Sequence, residues 1–212
     1  MRRLLAAAML LVAFDSSMAE APEEPANQIA FTLGRTFIGN QSVANTSVGN
    51  NVVRAGRGLS FDFAYARQLK RLSFGSLALE LPVVFDPDED LSYGANQVPL
   101  QYSSFFVSPS ARLNLAPDPV ISPWLSFGGG LAHFQGSKEL LFGGTNPGPR
   151  VNMSSALQFG AGFDLHVPWK YSRARLRVEF RDNWTGEPPL RVITGSNRQH
   201  NYYIGGGIVY VF

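Results

Sequence analysis

The chain has 212 residues, no cysteine and a formal net charge of +2, which excludes a disulfide framework and thiolate chemistry. With no basic run and no aromatic RNA-binding motif, nucleic acid is a poor partner. Its 21 glycines and 16 phenylalanines favour strands and turns over helices, and no stretch beyond the N-terminal segment has ~18 consecutive apolar residues, so any membrane crossing is expected to be made by strands.

The first element is a targeting segment. Arg2 and Arg3 form a basic start, Leu4 to Phe14 an apolar stretch, and Ser17, Met18 and Ala19 occupy the positions before a cleavage site. The apolar stretch is far short of the ~20 residues of a spanning helix, so residues 1–19 are expected to be a cleaved signal peptide. Cleavage leaves Glu20, not a cysteine, at the new end, which excludes a lipid-anchored precursor. Residues 20–27 form a short lead rich in proline and acid, with the composition of a disordered segment. The rest, residues 28–212, suits one domain.

Eight segments of alternating polarity follow: Gln28 to Phe37, Leu59 to Leu69, Ser73 to Phe85, Ser103 to Ala116, Pro123 to Phe134, Val151 to Val167, Ala174 to Thr185 and His200 to Phe212. An even number lets both ends of an antiparallel barrel lie on one side. The connections alternate between long (Ile38 to Gly58, Asp86 to Tyr102, Gln135 to Arg150, Gly186 to Gln199) and short (Lys70 to Leu72, Pro117 to Ser122, Pro168 to Arg173). Short turns toward the periplasm and long loops outward are the pattern of an outer-membrane barrel. Pro82 and Pro109 fall inside strand segments, where a missing N–H breaks a ladder bond, so bulges or shifted boundaries are expected there.

Each segment carries one bulky apolar row and one small or charged row. Leu59, Phe61, Phe63 and Tyr65 oppose Ser60, Asp62, Ala64 and Ala66, and Leu157, Phe159, Phe163 and Leu165 oppose Gln158, Gly160, Gly162 and Asp164. Parity alone does not say which row faces inward, and a soluble ligand-binding barrel would turn the bulky row to its lumen. The signal segment, the loop asymmetry and the final Phe212 place lipid outside. The seventh segment sets Leu176, Val178 and Phe180 against Arg175, Arg177, Glu179, Arg181 and Asn183. An arginine on a lipid face at mid-membrane costs ~2–4 kcal/mol, so these charges face the lumen. The lumen row then holds Arg112, Arg175, Arg177 and Arg181 against Asp62, Glu80, Asp164 and Glu179, a balanced set able to pair internally.

The run Leu176-Arg177-Val178-Glu179-Phe180-Arg181-Asp182, followed by a loop and a terminal strand, resembles the small OmpA/OmpX-type outer-membrane β-barrel family across essentially all of residues 28–212. The resemblance implies an all-β fold, an eight-stranded antiparallel transmembrane barrel, located in the bacterial outer membrane. It also implies partners: outer-membrane lipid, lipopolysaccharide, and the assembly machinery during biogenesis. Gly207, Tyr210 and Phe212 are similar to the C-terminal signal read by that machinery, with Gly205 departing from the polar residue preferred at its position.

Chemistry-bearing motifs are sparse. Lipid A deacylases of this fold type use a His-x-Ser-Asn run, whereas His133, His166 and His200 are followed by Phe134-Gln135, Val167-Pro168 and Asn201-Tyr202, so no catalytic residue is expected. Gly128 to Gly130 and Gly205 to Gly207 lie within strand patterns and lack the helix that a phosphate loop needs. Asn45-Thr46-Ser47 and Asn183-Trp184-Thr185 match a glycosylation sequon only by residue type. Asp86, Asp88, Glu89 and Asp90 read as a solvated acidic loop, with a divalent ion shared with lipopolysaccharide as the alternative. Val52, Val53, Leu140, Leu141, Phe142, Val192 and Ile193 give the long loops enough apolar surface for a lid. No cofactor or metal is expected. The functional expectation is a non-enzymatic barrel with a side-chain-filled lumen, in a structural or surface-interaction role. A narrow pore or transporter is the alternative, and a lipid-modifying enzyme stands third.

Overall fold

The structure, a computed structural model, describes residues 27–44, 51–56, 58–115, 120–166 and 173–212. The expected signal segment, residues 20–26 of the lead, the Asn45 sequon and most of the Pro117 and Pro168 turns lie outside these residues. Eleven strands are described: β1 (Asn27–Ile38), β2 (Gln41–Ser42), β3 (Val52–Ala55), β4 (Leu59–Leu72), β5 (Gly75–Ser92), β6 (Gln101–Val107), β7 (Ser110–Leu115), β8 (Ile121–Gly136), β9 (Val151–His166), β10 (Ala174–Gly186) and β11 (Arg198–Val211). β6 and β7 are two halves of one barrel stave, since both pair with β5 and with β8. The staves β1, β4, β5, β6/β7, β8, β9, β10 and β11 therefore form an eight-stranded antiparallel ring, closed by β1 on β11. Closure leaves no edge, so the staves satisfy one another's backbone groups around the ring.

The two prolines explain the break in the fourth stave. Glu80 pairs with Ser110 and Val83 with Val107, so Pro82 and Pro109 stand in the same gap between β6 and β7, and the register is the same on both sides of it. There the Ser108 N–H donates to the Pro82 carbonyl, and the Gly129 N–H donates to the Pro109 carbonyl. Each proline removes a donor from a different ladder, Pro82 on the β5 side of the fourth stave and Pro109 on its β8 side, but both do so at the same height. The neighbouring glycines belong to the same place: a Cβ on Gly130 would sit 1.8 Å from the Val107 carbonyl oxygen. Here the glycines mark a close approach of two backbones.

The rows face as the alternation requires. Phe31, Leu33, Phe63, Leu77, Phe127, Phe159, Val178 and Ile208 are exposed on the outer wall, while Asp62, Glu80, Arg112, Asp164, Arg177, Glu179 and Arg181 are buried inside. In water this would be an inverted protein. In a bilayer, apolar side chains outside and charges inside are the stable arrangement.

Three expectations need correction. The tight turn after β4 is Ser73–Phe74, not Lys70 to Leu72, because a bulge between Gln68 and Lys70 lets the strand run on. The first long connection is not wholly irregular, since β2 and β3 form a hairpin in it and β3 pairs with the upper end of β5. The acidic residues 86 to 90 are not in a loop, because β5 continues to Ser92. A second bulge between Asp86 and Glu89 explains this. It breaks the period-two pattern, so that Asp86 and Glu89 both face inward while Pro87 and Asp88 are exposed.

Above the lipid-facing rows the long loops are tied to one another. The first joins the fourth through Ala44 N–H to the Ile193 carbonyl and Gly195 N–H to the Ser42 carbonyl. The second joins the third through Leu100 N–H to the Glu139 carbonyl and Leu141 N–H to the Val98 carbonyl. Beneath them lies an apolar cluster that includes Val53, Val84, Leu91, Val98, Tyr102, Phe106, Phe134 and Leu190, with Leu141 and Val192 packed against it. Phe142 and Ile193 stay exposed, so only part of the expected lid residues forms the lid.

Candidate functional site in the lumen

The lumen is built around Arg181. From β10 its guanidinium reaches two other staves: Nε donates to Asp62 Oδ2 on β4 at 2.7 Å, and Nη1 and Nη2 donate to the two oxygens of Glu80 on β5, each at 3.1 Å. Nη2 also donates to Glu179 Oε2 on its own strand at 3.0 Å. The planar fork of arginine makes such multiple pairing possible, where a lysine would supply one point charge.

A second centre lies beside the first. Arg177 grips Asp164 with Nε at 2.7 Å and Nη2 at 2.9 Å, and Arg112 donates to Asp164 Oδ2 at 3.0 Å and to Glu80 Oε1 at 3.3 Å. Glu80 therefore bridges the two centres. All seven of these side chains are at most 2% exposed. Ion pairs with no water around them must be satisfied by each other, because each charge loses several kcal/mol of hydration on burial.

Of the eight lumen charges expected from sequence, the structure brings seven together. Arg175 is the exception. It is half-buried and stands at the start of β10, two residues before Arg177. Three guanidiniums face four carboxylates, and neutral donors supply the rest. The Thr32 hydroxyl donates to Glu179, and the Val83 N–H donates to Asp62 Oδ1 at 3.2 Å.

Sequence reasoning did not find Trp124. Its ring lies in the middle of the cluster, with the guanidinium carbons of Arg112, Arg177 and Arg181 at 4.5, 5.1 and 5.2 Å from its centroid. The indole fits because its neighbours on β9 are small: a Cβ on Gly162 would come within 2.6 Å of it. Cation–π attraction of desolvated guanidiniums adds to the ion pairs. The signal was available, since Trp124 stands on the lumen parity of β8 among Ser122, Ser126, Gly128 and Gly130, while the other aromatic of that parity, Phe134, belongs to the apolar cluster of the upper bore.

The expected assembly residues lie at the other end of the staves. Tyr210 and Phe212 point outward and stack at 6.0 Å, while Gly207 is on the inner parity, opposite Thr32. The histidines are scattered. His200 stands on the outer wall, where its Nδ1 is 2.8 Å from Asp182 Oδ2 and its ring stacks on Tyr202 at 5.4 Å. His133 pairs across to Met153, and His166 ends β9. Among the described residues no serine hydroxyl hydrogen-bonds a histidine, and no group of three His, Cys, Asp or Glu is arranged to hold a metal.

Near the loop end, Asp86 and Glu89 form a smaller, separate acidic site. Asp86 Oδ2 accepts from the Ser60 hydroxyl at 3.2 Å, and Glu89 Oε2 accepts from the Gly58 N–H at 3.1 Å. Both carboxylates are completely buried, although they lie above Phe85, the last lipid-facing residue of β5. Burial, and then the neighbouring Asp86, push the Glu89 carboxyl up to about 8, and burial raises Asp86 as well.

Closed ring, apolar belt and buried charges together define a class: a membrane-spanning eight-stranded β-barrel of the bacterial outer-membrane type. No protein-family model matches the chain, and no curated protein sequence does. Among solved structures the fold is similar to that of Neisserial surface protein A, NspA, at 13% identity, covering 88% of this chain and 97% of that one with a TM-score of 0.51. It is also similar to the outer membrane protein OprG from Pseudomonas aeruginosa, at 9% identity, covering 91% and 99% of the two chains with a TM-score of 0.50.

Proposed function

We propose that this protein is a non-enzymatic outer-membrane barrel, closed to diffusion, which serves the envelope as a rigid support for its surface loops. The observation that supports this reading is the crossing of the lumen by Arg181, which ties β10 to β4 and β5 while Arg112 and Trp124 fill the space beside it. Eight staves enclose a bore that side chains can fill, and here large, ion-paired ones do. Outer-membrane lipid and lipopolysaccharide surround the belt, and the assembly machinery reads the terminal strand.

Planar-bilayer recording separates the plug from a pore. The purified wild-type barrel is expected to give no resolved conductance steps, and Arg181→Ala combined with Glu80→Ala, which removes both members of the bridge and leaves Asp62 and Glu179 lining the opened bore, is expected to give small cation-conducting steps. Regular steps from the wild type would overturn the closed-barrel reading. Lipid A from cells with and without the protein is expected to have the same mass spectrum, and loss of an acyl chain would overturn the non-enzymatic reading.

A further inference from the structure

The Asp86–Glu89 pair poses an electrostatic problem that the lumen cluster does not. The bulge turns both carboxyl groups inward, within hydrogen-bonding reach of each other, and Glu89 Oε1 is buried without a hydrogen-bond partner. Among the described residues no arginine, lysine or histidine forms an ion pair with either. Two ionised carboxylates this close and this buried repel strongly, and a single proton between them converts the repulsion into a hydrogen bond.

The position gives that proton a consequence. Oxygens of Asp86, Asp88 and Glu89 converge over Gly58, where a Cβ would lie 2.6 Å from Asp86 Oδ1, 2.6 Å from the Asp88 carbonyl and 2.8 Å from Glu89 Oε2. Gly58 leads into β4, and just before it the Gly56 N–H donates to the Asp90 carbonyl while Arg54 and Ala55 of β3 pair with Ser92 and Leu91. The acidic pair is thus a fastening point at the base of the β2–β3 hairpin, beside the β3–β5 pairs, and Val53 of that hairpin is part of the apolar cluster that fills the upper bore.

We propose that Asp86 and Glu89 share one proton and act as a latch, holding the first-loop hairpin down over the upper bore while the proton is present and releasing it when the proton leaves. The groups around the pair are suited to this. β1 and β4 contribute the hydroxyls of Thr36 and Ser60, and β6 contributes Ser104 and Tyr102. Burial raises the Tyr102 phenol well above its usual range, so it stays neutral throughout. Asp88 and Asp90 on the same strand and the exposed Arg54 on β3 complete the charged surroundings. Arg57 lies outside the described residues.

The sign follows from comparing the closed and open states. Opening the hairpin lets water reach Glu89 and brings its carboxyl back toward the ordinary range near 4.5, whereas in the closed state burial pushes it up to about 8. The latch is therefore at full strength below about 4.5, weakens as pH rises, and is spent above about 8. Hydrogen exchange of the Gly56 and Gly58 amides in the full barrel in detergent, corrected for intrinsic exchange, is expected to lose at least about tenfold in protection between pH 6 and pH 8. The β9–β10 ladder serves as the internal control. Glu89→Gln, which keeps the neutral shape, is expected to hold high protection across the range. Equal protection at both pH values in the wild type would overturn the latch, as would an unchanged pH response in Glu89→Gln. A flat wild-type profile together with a pH response that appears only in Arg57→Gln would overturn it by assigning the neutralising charge to that arginine.

Discussion

The lower and upper halves of the bore are filled by opposite chemistry. Between the lipid-facing rows the interior is Arg181, Glu80, Arg177, Asp164 and Trp124, and the exterior is Phe63, Leu77, Phe159 and Val178. Beyond Phe85 the same β5 strand places Leu91 inside and Asp88 and Asp90 outside. The barrel wall is continuous across that change, so the strand itself does not decide its polarity. The surrounding medium does: lipid makes the outer row apolar and leaves the lumen to charges, whereas water above the membrane restores the usual order of apolar core and polar surface. The bulge at Asp86 and Glu89 sits at this boundary.

The two halves should fail differently. The largest effect is expected in the lower half: Glu80→Ala leaves Arg181 and Arg112 facing a buried gap and is expected to destabilise the barrel by about 3–5 kcal/mol, read by denaturant titration in detergent. A loss below ~1 kcal/mol would mean that water already solvates these charges, and would erase the distinction between a dry plug and a wet one. In the upper half, Leu91→Ala removes apolar packing without exposing a charge and is expected to cost about 2–3 kcal/mol. Its signature is regional, with hydrogen exchange rising in β3 and the loops while the β9–β10 ladder stays protected. The smallest effect on stability is expected at Phe212, which is outside both halves. Phe212→Ser is expected to fold in detergent within about 1 kcal/mol of wild type, since Phe212 is 40% exposed and its ring stacks on the outward-facing Tyr210. In cells the same variant is expected to insert slowly and accumulate in the periplasm, and normal insertion would count against an assembly signal.

The lower half was the legible one. Residues such as Arg177 and Glu179 can be placed in the lumen from parity alone, because a charge in lipid is so costly that alternation becomes a reliable guide. What parity cannot give is height along the bore, so it cannot say that Arg181 and Glu80 meet at one level. Nor does parity reveal neighbours across the barrel, which is why Glu80 as the bridge and Trp124 as the hub needed coordinates. The upper half was less legible. Pro87, the extra residue of the bulge and the return of water outside break the alternation together, and the segment therefore resembles a loop. Pro82 and Pro109 were rightly suspected of disturbing strands, but that they share one gap is a property of register, 27 positions apart in the sequence.

Asn27 and Phe212 exchange both backbone hydrogen bonds, at 2.9 and 2.8 Å, so the seam between β1 and β11 is a ladder like the other seven. A finished ring keeps no record of which stave was made first. The chain could be sewn together across that seam and cut open in the third loop at Gly143–Gly144, where neither glycine has an atom near its missing Cβ, and every ladder would survive. Such a permuted chain would carry Phe212 in its interior instead of at its end. It would separate place in the sequence from place in the ring, since Phe212 would keep its backbone partner Asn27 while the break in the chain lay on the far side of the barrel.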